Sequence, residues 1–299
     1  MEAIVATRLG APVPAMIAAT ARALQARLRG DAMLFYGSAL RDPDLDGVLD
    51  FYVLDDDAAG RRRWRPFAFL WPDVGYHELE IGGRLIRAKV ARMSLATFER
   101  AAAGRTADTT IWARFAQPAR LVFARDEAVR ARVHGAIDAC ILTAARFAAM
   151  LGPPSGRATD YWAALFAATY GTEFRIETRK RGHLILSADP DYYDAVLPLA
   201  WVRLGLIDDP RASALRPAIP AGRLRAWRAQ WRWRRWAGKP LNVLRLVKAA
   251  WTFDGAARYA LWKIERHSGV HIPLTRWRER HPVLAAPGVL FRLWRAERR

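Results

Sequence analysis

Short apolar runs separated by turn residues fill the first 125 positions of the chain. Several of them alternate between apolar and polar residues, which is typical of half-buried strands. Gly82-Gly83 separates two alternating runs and predicts a two-residue hairpin, and a helical period over 12–29 predicts a helix before the first strand. The predicted strands lie at 32–36, 48–54, 67–71, 75–81, 84–91 and 119–124.

The apolar spacing becomes helical after residue 125. It predicts helices over 127–151, 158–169 and 190–205, and prolines at 210, 217 and 220 mark a boundary after them. We therefore expect an α+β fold with a mixed sheet rather than a doubly wound sheet. The expected domains are a sheet domain at 1–125, a helical domain at 126–215 and a C-terminal helical region at 216–299.

Composition predicts a folded chain, because 52% of the residues are hydrophobic. Cys140 is the single cysteine, which excludes an internal disulfide and agrees with a reducing compartment; its helical surroundings predict a core position. The first residues lack the pattern of a signal peptide, and no uninterrupted apolar run of about 18 residues occurs. We expect a chain that does not span a membrane.

Positive charge and tryptophan are concentrated at the C-terminal end. Of the net charge of +19, residues 221–299 carry +15, from 19 Lys and Arg against four acidic residues. Eight of the 13 tryptophans also lie after residue 220. This distribution predicts a polyanionic partner, for which anionic lipid and nucleic acid both qualify.

Two C-terminal segments have the pattern of membrane-interface helices. In the segment 223–236, Leu224, Trp227 and Trp231 share a helix face among arginines, and the segment 289–299 is more cleanly amphipathic. Arginines beside tryptophan suit a lipid headgroup region. The alternative is a helix that packs on the protein body through its tryptophans.

The segment 34–57 carries the main candidate chemistry. Gly37-Ser38 follows the first predicted strand, where a glycine lets phosphate approach the backbone and Ser38 can donate hydrogen bonds. Asp50 lies in the next strand, where a carboxylate can bind a metal ion that bridges nucleotide phosphates. A second carboxylate two residues later is common in such sites, but Tyr52 occupies that position. The alternative is an ordinary hairpin with solvated acidic residues.

Six segments follow one another along the chain, namely YGSA (36–39), LDFYVL (49–54), GGRLIRAKVA (82–91), ARFAQPARLVFA (113–124), YGTEFRIE (170–177) and NVLRLVKAAWTFDGAARYALWKI (242–264). With these segments in this order, the chain resembles the mitochondrial-type CDP-diacylglycerol synthases, the translocator assembly and maintenance family of phosphatidate cytidylyltransferases. Ala116 and Gln117 depart from the family pattern, as does the divergent C-terminus.

The resemblance implies a nucleotidyltransferase-like fold and the conversion of CTP and phosphatidic acid to CDP-diacylglycerol and pyrophosphate. It implies Mg²⁺ as cofactor and an anionic membrane surface, not nucleic acid, as partner. The expected location is the cytoplasm, peripheral on the inner face of the cytoplasmic membrane. The implied roles are metal binding by Asp50, charge stabilisation by Lys89, nucleotide binding by Gly37, Ser38, Arg114 and Lys248, and lipid-phosphate binding by Arg175 and Lys248.

Two observations on the residues bear on the same site. The basic residues comprise 43 arginines and five lysines, so that the lysines at 89 and 248 indicate positions where a compact ammonium is needed. Glu78 and Glu80 share a strand face, and we expect Glu80 to complete the catalytic carboxylates; His77, on the opposite face, is expected in the core.

Two other functions agree with the same residues. One is a nucleotidyltransferase that acts on RNA or a small molecule, with aromatic residues stacking on bases. The other is a non-catalytic module that binds a membrane surface.

Overall fold

A single five-stranded mixed sheet organises the part of the chain that is described in the computed structural model, namely residues 1–41, 44–56, 70–172, 184–212, 214–252 and 255–280, with 285 and 288. The strand order is β3-β4-β2-β1-β5, with β2 and β4 parallel and the other neighbours antiparallel. The strands are β1 (Ala32–Tyr36), β2 (Val48–Asp55), β3 (Asp73–Ile81), β4 (Arg84–Ser94) and β5 (Arg120–Ala124). Five predicted strands are thus confirmed, whereas the prediction at 67–71 falls mainly outside the described residues.

Helices surround this sheet and form the whole second half of the described chain. The predicted helices at 12–29, 127–151, 158–169 and 190–205 are confirmed as α2, α6, α7 and α8, while α1, α3, α4 and α5 were not predicted. The helices are α1 (Glu2–Gly10), α2 (Ala15–Leu28), α3 (Ser38–Arg41), α4 (Leu95–Ala102), α5 (Thr110–Phe115), α6 (Glu127–Leu151), α7 (Ala158–Thr172), α8 (Pro190–Arg203), α9 (Ala221–Thr252), α10 (Ala256–Ser268) and α11 (Arg276–Arg280).

The β3–β4 hairpin has the predicted two-residue turn. Gly82 and Gly83 have φ angles of +57° and +74°, which glycine adopts without strain and which a type I′ turn requires at both central positions. The turn pairs Ile81 with Arg84 and fixes every later pair of the hairpin. The hairpin register therefore follows from two adjacent glycines.

The sheet has an apolar layer on each face. Residues of α2 cover one face, where Ile17 and Leu24 pack with Phe35 and Phe51. Helices α4 to α8 cover much of the other face and form the larger core, in which Cys140 is buried as predicted. His77 is also buried, in agreement with its predicted core position.

Helix α6 runs through the centre of the larger core. Asp126 caps its N-terminus by accepting a hydrogen bond from the N–H of Val129 (2.8 Å), and the helix ends before Gly152. It is long and apolar enough to cross a membrane, but 61% of its most apolar window is buried inside the protein. Helices α1 and α2 pass the same test only as a pair bent by 88°. The burial of α6 is that of a core helix.

Helix α9 packs on the body through the face that its sequence pattern assigns to a membrane interface. Trp227 and Trp231 are buried in the larger core, and Trp231 lies 5.4 Å from the ring of Phe147. The membrane-facing interpretation of these two residues is therefore wrong, because their side of the helix meets protein. Arg234, on the same side, donates a hydrogen bond to the carbonyl oxygen of Gly104, and burial lowers its pKa to about 10.

The opposite face of α9 carries the exposed tryptophans. Trp233 and Trp236 are 55% and 72% exposed, and their rings lie 5.6 Å apart. Arginines surround this pair on the exposed side of the helix, at positions 225, 228, 232 and 235. The second predicted amphipathic segment, 289–299, lies outside the described residues.

The two faces of α9 predict different effects of removing a tryptophan. We expect Trp231→Ala to lower the free energy of unfolding by about 3 kcal/mol, because it leaves a cavity in the core. Trp236→Ala should change it by less than about 0.5 kcal/mol, because most of that side chain is exposed. Urea unfolding of both variants measures the difference, and equal stabilities would contradict the packing of α9.

Candidate functional site

The candidate site begins where β1 ends. Antiparallel pairing places Tyr36 opposite Asp50, and Gly37 follows with a φ angle of +97°. A Cβ atom at Gly37 would lie 2.9 Å from Oδ2 of Asp50, so that a side chain there would displace the carboxylate. Both the backbone angle and the close approach therefore require glycine beside Asp50.

Lys89 and Tyr76 continue the line of paired residues from Asp50 across the sheet. Lys89 pairs with Asp50 in the parallel β2–β4 register, and Tyr76 pairs with Lys89 across the hairpin. Paired residues of neighbouring strands project to the same face. We call the four residues Gly37, Asp50, Lys89 and Tyr76 the Asp50 row. The row places the acidic residue Asp50 beside the basic residue Lys89. Both lie next to the turn at Gly37, where the lack of a side chain leaves the backbone accessible.

Aromatic side chains from β1, β2 and α5 close the site on its core side. Tyr52 is fully buried, with its ring 5.5 Å from Tyr36 and 5.2 Å from Phe115. Burial raises the pKa of Tyr52 to about 12, so its hydroxyl stays neutral. The position two residues after Asp50 thus belongs to the core and supplies no second carboxylate.

Arg114 lies at the edge of these aromatic residues. Its Nη1 donates a hydrogen bond to the hydroxyl of Tyr36 (3.3 Å), and its guanidinium carbon is 5.2 Å from the centre of that ring. Burial raises the pKa of Tyr36 far above its usual value, Arg114 opposes this shift, and the charge of Asp50 adds to it. Arg114 therefore holds a positive charge near the Asp50 row, and its binding of a nucleotide stays a prediction.

Helix α10 forms the wall at the β3 side. The ring of Tyr259 lies 5.4 Å from that of Tyr76, and burial followed by the charge of Asp50 raises the pKa of Tyr259. Arg266 at the end of α10 donates hydrogen bonds to Asp44 (2.7 Å) and to the carbonyl oxygen of Asp46 (2.7 Å). The helix is thus attached to the β1–β2 connection as well as to β3.

The remaining residues that the sequence predicted for the site lie outside this row. Ser38 is exposed at the start of α3. Glu80 is exposed and pairs with Leu85, four residues along β3 from Tyr76, or about 13 Å in a strand. Glu78 is nearer in register, and its Oε1 accepts a hydrogen bond from the hydroxyl of Tyr76 (3.1 Å). Arg175 lies outside the described residues.

Lys248 is buried where α9 passes β3. Its Nζ donates to Oδ1 of Asp73 (2.5 Å) and to the carbonyl oxygen of Leu70 (2.6 Å), and its side chain is 8% exposed. This ion pair joins α9 to the beginning of β3. The contacts give Lys248 a structural function, and its binding of a nucleotide or lipid phosphate stays a prediction.

The side chains that could bind a metal ion determine which metal chemistry the row can support. Among the described residues, no group of three or more His, Cys, Asp or Glu side chains is arranged to hold a metal ion. Mg²⁺ in nucleotide-dependent enzymes is commonly bound by one or two carboxylates together with substrate phosphates. The row therefore fits magnesium through Asp50 acting jointly with phosphate oxygens, and not through a site built by protein side chains alone.

Sequence reasoning did not identify Tyr76 and Tyr259. The hairpin contained the signal for Tyr76, because counting back from Gly82-Gly83 pairs residue 76 with residue 89. Nothing in the local pattern at 255–262 indicates that Tyr259 packs on β3, since this contact joins residues 183 positions apart.

The close contact at Gly37 predicts the effect of an added methyl group. Gly37→Ala should lower the free energy of unfolding by about 1–3 kcal/mol, because alanine is strained at this φ and meets the Asp50 carboxylate. Gly135→Ala is the matched control, since a Cβ there meets nothing within 4 Å and a helix favours alanine by up to about 1 kcal/mol. Denaturant unfolding measures both, and a Gly37→Ala variant as stable as the parent would contradict the geometry.

Comparison with known proteins assigns no family. A scan against protein-family models and a search of curated proteins each found no significant match to this chain.

Proposed function

We propose that the chain is a nucleotidyltransferase with the corresponding fold, which converts CTP and phosphatidic acid to CDP-diacylglycerol and pyrophosphate. The observation that carries the proposal is the Asp50 row, in which Gly37 lies against the carboxylate of Asp50 and Asp50 pairs with Lys89 on the neighbouring strand. The choice of CTP and phosphatidic acid rests on the motifs that resemble the synthase family.

The chemistry requires an in-line exchange at the α-phosphorus of the nucleotide. An oxygen of the phosphatidate phosphate forms a bond to the α-phosphorus, while the bond from that phosphorus to the bridging oxygen breaks and pyrophosphate leaves. Asp50 would hold magnesium together with the substrate phosphates, and the ion would supply charge neutralisation. Lys89 beside Asp50 stabilises negative charge on the transferring group, and the backbone at Gly37 accommodates the triphosphate. The acceptor is already ionised, so no general base is needed.

The exposed face of α9 supports a lipid acceptor. Trp233 and Trp236 are exposed among arginines, the combination that suits the headgroup layer of an anionic membrane. Lys248 fixes a later part of the same helix to β3, next to the strands of the row. An enzyme bound peripherally to the inner face of the cytoplasmic membrane would meet both a soluble nucleotide and a membrane-embedded substrate.

Removing the charge of Asp50 should abolish the reaction. We expect Asp50→Asn to lower the rate about a hundredfold or more, because the group that holds charge-neutralising magnesium is lost. Pyrophosphate release and CDP-diacylglycerol are measured with CTP, Mg²⁺ and vesicles that contain phosphatidic acid. Asp46→Asn is the control, since that side chain is 83% exposed in the neighbouring turn and should leave the rate unchanged.

Two results would contradict the proposal. One is an Asp50→Asn variant as active as the parent. The other is a parent protein that makes no product under these conditions. If such an inactive protein still bound the vesicles, the second candidate would be favoured, a non-catalytic membrane-surface module, which agrees with the burial of Tyr52 at the position of the usual second carboxylate.

The exposed arginines of α9 predict the strength of membrane binding. Each arginine near an anionic leaflet contributes about 1 kcal/mol, so Arg232→Gln with Arg235→Gln should weaken binding about thirtyfold at low salt. Sedimentation with vesicles that contain phosphatidic acid measures this loss, and salt should reduce the difference. Arg22→Gln with Arg27→Gln removes two exposed arginines from α2 as a control. Equal losses in the two double variants would show that net charge, and not the α9 face, determines binding.

A further inference from the structure

A polar pocket lies beside Gly37, on the side of β1 away from Asp50. It has a volume of about 280 Å³ and is bounded by α1, β5 and the segment that leads into α8. The charged residues of its wall are Arg8, Arg120 and Asp189. Since β1 separates β2 from β5 in the sheet, the turn at Gly37 lies between this pocket and Asp50. We call it the β5 pocket.

Arg120 lines the β5 pocket and carries one donor that has no partner among the described residues. It pairs with Phe35 across the β1–β5 ladder, two residues before Gly37. Its Nη1 donates to the carbonyl oxygen of Ala119 (3.2 Å), whereas its Nε is buried and has no hydrogen-bond partner among the described residues. A buried donor without a partner is costly, and an acceptor placed there would recover that free energy.

Arg8 and Asp189 determine the net charge of the pocket. Nη2 of Arg8 donates to Oδ1 of Asp189 (2.9 Å), and the same oxygen accepts a hydrogen bond from the N–H of Tyr192 at the start of α8 (3.4 Å). The carboxylate is thus engaged by an arginine and a helix N-terminus, and the pocket keeps one positive charge in excess. Burial, and then the charge of Arg8, lower the pKa of Arg120, while Asp189 raises it.

These features favour an anionic group with several acceptor oxygens, such as phosphate. Guanidinium groups donate two parallel hydrogen bonds to phosphate oxygens, and such charge-assisted bonds are stronger than neutral ones. Leu40 and Ile185 add apolar surface, which would accommodate a carbon-bearing ligand. Gly37 belongs to the wall of the β5 pocket and also to the Asp50 row, so the two features adjoin.

We propose that the β5 pocket binds a phosphate group of one of the two substrates, with Arg120 as the principal donor and Arg8 as its partner. The inference rests on the proposed function for the identity of those substrates. The phosphate belongs either to the triphosphate tail of the nucleotide or to the acceptor lipid, and binding measurements distinguish the two sources.

Calorimetric titration of the full chain with two soluble probes tests the pocket without requiring catalysis. Inorganic pyrophosphate represents the nucleotide tail, and glycerol 3-phosphate represents the lipid headgroup. We expect Arg120→Gln to weaken one of these probes about tenfold or more, because a charge-assisted hydrogen bond is lost. Arg130→Gln removes an exposed arginine of α6 that pairs with Glu127, and it should leave both affinities unchanged.

Three further measurements make the outcome decisive. Arg120→Lys should weaken binding less than Arg120→Gln, because it keeps the positive charge. Thermal unfolding verifies that each variant folds, and Arg8→Gln replaces Arg120→Gln if the latter does not fold. The proposal is overturned if the parent protein binds neither probe, or if the folded Arg120→Gln or Arg8→Gln variant binds both as tightly as the parent.

Catalysis by the parent protein is a separate measurement. Loss of probe binding in Arg120→Gln, with no CDP-diacylglycerol made by the parent, would support the pocket and reject the proposed function. Product formation by the parent, with unchanged probe binding in Arg120→Gln, would support the proposed function and reject the pocket.

Discussion

The register of β2 between its two neighbours is the constraint on which the candidate site depends. Because side chains alternate along a strand, a shift of one residue would turn Asp50 toward the face covered by α2 and expose the core residues that now surround Tyr52. The antiparallel register with β1 places Asp50 against Gly37, and the parallel register with β4 places it beside Lys89. Packing of Phe51 on one face and Tyr52 on the other therefore fixes the position of a single carboxylate.

The sequence predicted the local elements better than the contacts between them. Alternation and the two hairpin glycines identified the strands, and the same turn was sufficient to place Tyr76 opposite Lys89. The parallel pairing of β2 with β4 was not predictable, because it joins segments more than thirty residues apart in a register that no local turn defines. The function of Tyr52 was also unclear from sequence, since only the positions of Phe98 and Phe115 show that it is covered by helices.

The basic residues of the C-terminal region fall into two groups, according to whether they contact the body or are exposed. Arg234, Lys248 and Arg266 make hydrogen bonds or ion pairs with the body, so part of the positive charge attaches α9 and α10 to the sheet domain. The arginines around Trp233 and Trp236 are exposed and remain accessible to a polyanionic surface. A helical wheel cannot separate these groups, because both faces of α9 carry tryptophan and arginine, and the choice between them depends on the shape of the body near Phe147.

Pro240 lies inside α9, between the exposed tryptophan pair and Lys248. Proline has no N–H, so the carbonyl oxygen of Trp236 lacks its usual donor four residues later, and the proline ring crowds the same turn. The stretch of α9 that presents Trp233 and Trp236 is therefore joined to the stretch fixed on β3 by the weakest turn of the helix. Bending there costs less than elsewhere along its length. Because Trp231 and Arg234 hold one stretch on the core and Lys248 holds the other on β3, the turn at Pro240 is where the helix can adjust its direction between two fixed contacts.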